Sequence, residues 1–503
     1  MGRIQNSDTL TSHGHSAGRK ALVEILGAGL DACDPGNNVR RLVRLDGEIL
    51  TIGSPDFEPA GDPRSGDEVI DLRRINRIFV VGAGKGVQFT AKALEEILGE
   101  RLTGGHLIDK QGSPSILSRV GVTFGAHPIP DEGCVEGCRR ILELCADLRE
   151  NDLVFTALGN GVSALLTLPV EGVSLADVQR LTYLFQIERG GPTIDLIPIR
   201  NHLDQMKGGK ISRYLRPARA IHLLGHFQQS YHDLMHADMN RWLHVLPDVQ
   251  TYADAVRMLH KWDAWEGAPE SVKRFLLDAD PAQETPRQAE YEATNPRVFC
   301  IMPEHLGMLP AARNKAAELG FRTHLLFANF DMLAEAAQVG KVVANMAKQS
   351  EMDGEPFQPP CALFSRGELL VTVGDAKGMG GRNQEYAVSA ALELGQTCQV
   401  VMGSVDSDGT DGPGHQFIDS CADVPVLTGG IVDYSTTERA AELGIDLFTE
   451  LKRHNVSPTL HALGDGIVAT PNLSWADLSV TLILRRADPA KLDTDEADLA
   501  DRR

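Results

Sequence analysis

Residues 77–98 read Arg77-Ile78-Phe79-Val80-Val81-Gly82-Ala83-Gly84-Lys85-Gly86, then VQFTAKALEEIL. Positions 78–81 are continuously apolar, as a strand covered on both faces must be. Glycines then break the run, and the next twelve residues carry apolar groups at helical spacing. Strand, glycine turn and helix in that order open a parallel βαβ layer. Outward from this unit, further strands are expected at 103–108, 120–124, 153–157, 220–224, 298–302 and 323–326, with helical stretches at 133–148 and 175–186 between them. Such alternation predicts an α/β fold: an N-terminal, mostly parallel Rossmann-like sheet with flanking helices.

Upstream, residues 19–34 have helical periodicity, Pro35-Gly36-Asn37-Asn38 reads as a turn, and Asp46-Gly47 predicts a hairpin. Downstream, the Pro- and charge-rich stretch 264–296 suits a domain junction or a surface helix pair. Strands at 369–373, 398–403 and 478–484 then imply a second α/β domain, ahead of an acidic tail expected to fray. The 503 residues exceed one ordinary core, so the expected division is 20–290 and 295–486.

Apolar residues make up 42% and charged residues 23%, a globular balance. Lys plus Arg number 49 against 69 Asp plus Glu, a net charge of −20, which disfavours nucleic acid as a partner. A small anionic substrate then requires a locally basic pocket. No secretory leader and no run of 18 apolar residues is visible, so no membrane association is expected. The eight cysteines form no CxxC pair, and Cys134, Cys138 and Cys145 recur at the spacing of buried thiols on one helix. A reduced, cytoplasmic setting fits.

Several segments could carry chemistry. Gly82–Gly86 closes a strand and opens a helix, so its backbone N–H groups and Lys85 could meet an anion near Gly84. It is neither a Walker A loop nor GxGxxG. Gly159-Asn160-Gly161-Val162-Ser163 repeats the arrangement, with Asn160 and Ser163 as contacts; Leu165 two residues after Ser163 rules out a hydrolase elbow. Lys207-Gly208-Gly209-Lys210 offers cations around paired glycines. Gly380-Gly381-Arg382-Asn383-Gln384-Glu385 is the densest cluster, with Arg382 as a planar fork for carboxylate or phosphoryl oxygens and Gly381, Asn383 and Glu385 beside it. Asp408 and Asp411, after a strand, are expected to hold Mg²⁺.

In order and spacing these segments resemble the glycerate 2-kinase family, whose C-terminal part is the MOFRL domain. The matching stretches include GAGKG, GAHPIPDEG (125–133), IRNHLDQMKGGKIS (199–212), GELLVTVGDAKGMGGRNQE (367–385) and SDGTDGP, spread from about residue 20 to 485. The resemblance implies two α/β domains with an active site in the cleft between them, and ATP- and Mg²⁺-dependent phosphorylation of a hydroxyl of D-glycerate or a related sugar acid. It assigns Lys85 and Arg382 to neutralising the phosphoryl group in flight, both gripping one small anion. The partners it implies are a small anionic substrate and a nucleotide, and it leaves a homodimer open.

The departures are specific. A Ser-Gly-Gly-Gly-Ser turn of the family is Leu158-Gly159-Asn160-Gly161-Val162-Ser163 here, and both acids of a Ser-Asp-Val-x-Gly-Asp segment are gone from Gly225-His226-Phe227-Gln228-Gln229. Its Ala-Ser-Gly-Pro-Thr stretch becomes 242–247, and Gly-Pro-Thr-Gly-Thr-Asn becomes 467–472. Near the altered acids lie His226, His232, His236 and His244, with His232 and His236 spaced to share a helix face. That spacing can hold Zn²⁺, Mn²⁺ or another transition metal. The alternative expectation is therefore a kinase fold turned to metal-assisted isomerisation, decarboxylation or hydrolysis; a sensor without catalysis is a third.

Overall fold

The computed structural model describes residues 2–487, except 396, 398, 418–420 and 474. The acidic tail lies outside the described residues. The chain divides into Asp34–Glu304 and a second unit that joins the N-terminal residues through Cys33 to those from His305 onward. Among the described residues no helix is long and apolar enough to cross a membrane.

The Asp34–Glu304 unit opens with a small antiparallel sheet, β1 (Val43–Asp46), β2 (Ile49–Ile52) and β3 (Glu68–Asp71), whose first turn is the expected hairpin. Its main sheet contains β4 (Ile78–Ala83), β5 (Gly104–Lys110), β6 (Gly121–Gly125), β7 (Leu153–Leu158), β8 (Arg219–Leu224) and β9 (Arg297–Cys300). They lie in the order β6-β5-β4-β7-β8-β9, every pairing parallel. Strand order therefore reverses between β4 and β7, the place where doubly wound sheets leave a crevice for ligands. β4 and β7 are buried at every residue, which explains their unbroken apolar character.

The helix Val87–Leu98 follows β4, and Glu132–Cys145 precedes β7. Cys134, Cys138 and Cys145 line the core face of the latter, and burial pushes the thiols of Cys134 and Cys145 up to about 12. They are packing groups, as their helical spacing suggested.

The second unit is also α/β but mixed. Its strands β10 (Arg322–Glu335), β11 (Cys361–Leu370), β12 (Val400–Asp406), β13 (Gly429–Asp433), β14 (Gly466–Ile467) and β15 (Asp477–Ile483) are ordered β10-β11-β15-β12-β13-β14. Only β10 and β11 run parallel. The strand expected at 369–373 begins earlier, at Cys361. Ser365 and Arg366 interrupt its apolar run, yet both are buried, with Arg366 lying over the Trp475 ring at 5.7 Å.

Two boundary expectations are corrected. Residues 20–33 belong to the second unit, because the helix Ser16–Ala32 packs Leu22, Ile25, Leu26 and Leu30 out of water, against the helix Met308–Glu318, β12 and β15. Arg19 on that helix is fully buried and pairs with Asp433 at 2.6 Å and Asp465 at 2.7 Å. The other boundary falls at Glu304, because β9 completes the parallel sheet and the 264–296 stretch is part of that unit, with helices Glu270–Asp278 and Gln288–Glu292. Pro35–Asn38 is also no simple turn. It starts the helix Pro35–Leu42, with Asp34 accepting the Gly36 N–H at 2.8 Å and proline in the first turn, where its missing N–H costs nothing.

Candidate functional site

At the switch point the two glycine turns after β4 and β7 are stitched together. The Lys85 N–H donates to the Asn160 carbonyl at 2.8 Å, and the Gly159 N–H donates to the Ala83 carbonyl at 3.1 Å. Gly84 has φ 138°, and a Cβ there would come 2.5 Å from the Gly159 carbonyl oxygen. Only glycine permits both the conformation and the approach. Asp109, at the end of β5 and buried, fixes the first turn by accepting from the Gly86 N–H (3.2 Å), the Lys110 N–H (2.7 Å) and Gln88 Nε2 (2.9 Å).

Lys85 is half-buried on its turn, and its stem passes beside Gly161: a Cβ on Gly161 would lie 3.3 Å from Lys85 Cγ and 3.0 Å from the His127 ring. Ser163 sits just beyond, buried, in the short helix Val162–Leu165. Its Oγ accepts from Arg200 Nη1 at 3.3 Å. Arg200 comes from the helix Thr193–His202 and is 6% exposed. Its other contacts are Nη2 to the Pro128 carbonyl at 3.3 Å and to Gln186 Oε1 at 3.4 Å. All three acceptors are neutral. Burial pulls the guanidinium down to about 10, which leaves it charged at neutral pH. Arg200 is not singled out by sequence pattern; its one signal is an arginine directly after the apolar run Leu196-Ile197-Pro198-Ile199.

Lys207 is not available to a ligand. It is 1% exposed, with Nζ donating to Thr167 Oγ1 at 2.7 Å and Asp204 Oδ2 at 3.1 Å. Lys210 likewise bonds inward, to the Asp204 carbonyl at 2.8 Å. The KGG segment is a buried polar brace.

The glycine-rich turn of the second unit is engaged with carboxylates of its own unit. Arg382, at the start of the helix Arg382–Leu394, donates Nε to Asp477 at 2.5 Å, Nη2 to Asp477 and Asp406 at 3.0 Å each, and stands 3.4 Å from Glu368. These carboxylates hold its pKa above the ordinary arginine value. Asp411 is no metal ligand. One carboxylate oxygen accepts Asn383 N–H (3.2 Å) and Nδ2 (3.1 Å), and the other accepts Gln384 N–H and Nε2 (3.0 Å each), capping that helix. A Cβ on Gly381 would strike the same carboxylate, which is why that residue is glycine. Asn383 turns its Oδ1 to the Ser404 hydroxyl, and Glu385 accepts from His454 Nδ1 at 2.7 Å. Asp408 is buried, its Oδ1 accepting the Thr410 N–H at 2.8 Å.

The histidines do not gather. His232 and His236 do stack on one exposed helix face, with centroids 4.5 Å apart. His226 lies elsewhere, buried between Phe227 and Trp242 and bonded to Asn240 at 3.0 Å, and burial lowers it to about 4. His244 is sealed in the core. Among the described residues no three His, Cys, Asp or Glu side chains come together as a metal set. The histidines and Asp411 therefore do not assemble into the expected transition-metal or Mg²⁺ set, Asp411 because both of its oxygens are taken up by the helix start.

The first unit is a doubly wound α/β module whose switch-point turn after β4 carries Lys85, and it is followed in sequence by a mixed α/β unit. Comparison with known proteins agrees. Residues 21–227 match a domain of unknown function, DUF4147, and residues 361–474 match the MOFRL family. The chain is 32% identical to the D-glycerate 2-kinase of Thermotoga maritima, across 86% of this chain and 97% of that one. It is 28% identical to the glycerate 2-kinase of Pyrococcus horikoshii, across 90% and 94%. The crystal structure of a Thermotoga maritima glycerate kinase superposes with a TM-score of 0.68 at 29% identity, covering 92% of this chain and 99% of that one. The chain belongs to the glycerate 2-kinase family.

Proposed function

We propose that this protein is an ATP-dependent kinase that phosphorylates a hydroxyl of D-glycerate, working in the cytoplasm with MgATP as its nucleotide substrate. The observation that carries the reading is the positive charge beside the switch-point turns. In a chain of net charge −20, Lys85 stands on the turn after β4 with its stem beside Gly161, and Arg200, without a carboxylate partner among the described residues, reaches Ser163 just beyond the turn after β7. A small carboxylic acid and a phosphoryl group are both anions, and transfer between them is helped mainly by positioning and fixed positive charge.

In this reading the rigid Lys85 turn presents its cation to the phosphoryl group, and stitching to Asn160 keeps it from moving as charge redistributes. Seven free cysteines among the described residues, six of them buried, fit a reducing compartment.

The test is ADP release by the purified chain with MgATP and D-glycerate, with ³¹P NMR locating the new phosphoester. Turnover is expected, and Lys85→Ala should lower kcat by about 10²–10³. ADP release no faster than the glycerate-free blank would end the proposal.

A further inference from the structure

We infer that Arg200, with the Ser163 hydroxyl beside it, is the specificity residue that receives the substrate's carboxylate. The assignment rests on the kinase reading for the identity of the acid, but its own support is electrostatic. Among the described residues Arg200 forms no ion pair, and its contacts to Ser163, Pro128 and Gln186 fall between 3.3 and 3.4 Å. Charge-assisted bonds to a carboxylate are shorter, about 2.7–2.9 Å. The charge of Asp204 is felt at Arg200, yet that carboxylate is bound to Lys207 Nζ and to the N–H groups of Leu168, Met206 and Lys207. A guanidinium removed from water without a counter-ion is expensive. An incoming anion supplies the missing charge.

The position of Arg200 selects which anion. Its partners Ser163 and Pro128 follow β7 and β6, so the fork reaches the C-terminal edge of the sheet on the side of the switch-point turns. It is 6% exposed, whereas Lys85, Asn160 and Gly161 are half-buried. A phosphoryl group delivered by a nucleotide must meet the accessible groups. The deeper fork is left for the end of the acid that does not react. A planar fork also matches a carboxylate's two oxygens.

A site built around a charged partner rejects the analogue that lacks the charge. The experiment compares D-glycerate with its uncharged amide, D-glyceramide, in wild type, Arg200→Gln and Arg200→Lys. In wild type the acid should be preferred by about 10³ in kcat/KM. In Arg200→Gln the KM for glycerate should rise about 100-fold with kcat changed less than about 3-fold. The amide's kcat/KM and the KM for ATP should stay within about 3-fold, so the preference collapses. Arg200→Lys, which keeps charge without the fork, should fall between the two. An equal loss for acid and amide would make the residue structural, and a rise in KM for ATP alone would give it to the phosphoryl group; either overturns the assignment. If wild type releases no ADP, the kinase reading fails by itself. Calorimetric titration with D-glycerate then decides: binding lost in Arg200→Gln supports the assignment, and equal binding overturns it.

Discussion

Arg200 and Arg382 occupy comparable places, each beside a glycine-bearing turn of an α/β unit, and their surroundings are opposite. Arg200 touches three neutral oxygens, all at 3.3 Å or beyond. Arg382 is ringed by Asp477, Asp406 and Glu368. Around Arg200 a positive charge stands without a carboxylate, and an anion would complete it; around Arg382 the carboxylates outnumber the guanidinium. A dense polar motif therefore does not by itself show an unmet charge. Charge balance around each buried group is the better indicator, because an unbalanced charge persists only where something repays its desolvation.

The sharpest way to break this contrast is to make the same substitution on both sides. Arg382→Met strands two buried carboxylates and a third nearby, and should destabilise the protein by about 3 kcal/mol. Arg200→Met removes a buried charge with no counter-ion and should leave stability within about 1 kcal/mol of wild type, or raise it. Urea unfolding of the three proteins without substrate measures both. Equal losses would show that Arg200 is as structurally engaged as Arg382, and the contrast would be false.

A smaller effect separates the acceptors Asp411 and Ser163. Asp411→Ala leaves four donors of Asn383 and Gln384 without their acceptor at a helix start and should cost about 2 kcal/mol. Ser163→Ala takes one weak neutral acceptor from Arg200 and should cost about 0.5 kcal/mol or less. Thermal midpoints of the two variants, read against wild type, should keep that order.

These contrasts explain what could be seen in the residues beforehand. The doubly wound unit was legible because a strand buried on both faces is continuously apolar, and glycine marks the close passage of Gly84 over Gly159. The turns that meet at the switch point were recognised for the same reason. Arg200 was not, since lacking a counter-ion is a property of the folded surroundings. In the segment 380–385 the partners were hidden: Asp411, which pairs with Asn383, lies 28 residues away and reads in the sequence as a ligand in its own right. Spacing correctly placed His232 and His236 on one face, but spacing has no bearing on His226, which packs against Trp242 instead. The helix Ser16–Ala32 was read as a helix and given to the wrong unit, because its carboxylate partners Asp433 and Asp465 lie more than four hundred residues downstream.

The smallest effect tests the surplus of negative charge around Arg382. Burial holds the Asp477 carboxyl above the usual range despite the guanidinium beside it, and the charge of Glu368 pushes it further up. A carboxyl raised on folding binds its proton more tightly in the native state. Its contribution to stability is therefore complete below about pH 4 and is lost as pH rises toward and through its folded value. Glu368→Gln removes one cause of the rise, so the variant should lose less stability between pH 5 and pH 8. Glu368 is 38% exposed at its side chain, and solvent screening keeps the gain to about 0.5 kcal/mol at pH 8, with little at pH 5. Urea unfolding at the two pH values measures the difference, and a gap independent of pH would mean that the three carboxylates do not share the charge of Arg382 as inferred. Arg200 offers the control. Burial pulls Arg200 down only to about 10, so its charge is constant across this window, and any pH-dependent stability that Arg200→Gln alters between 5 and 8 would contradict the neutral surroundings assigned to it.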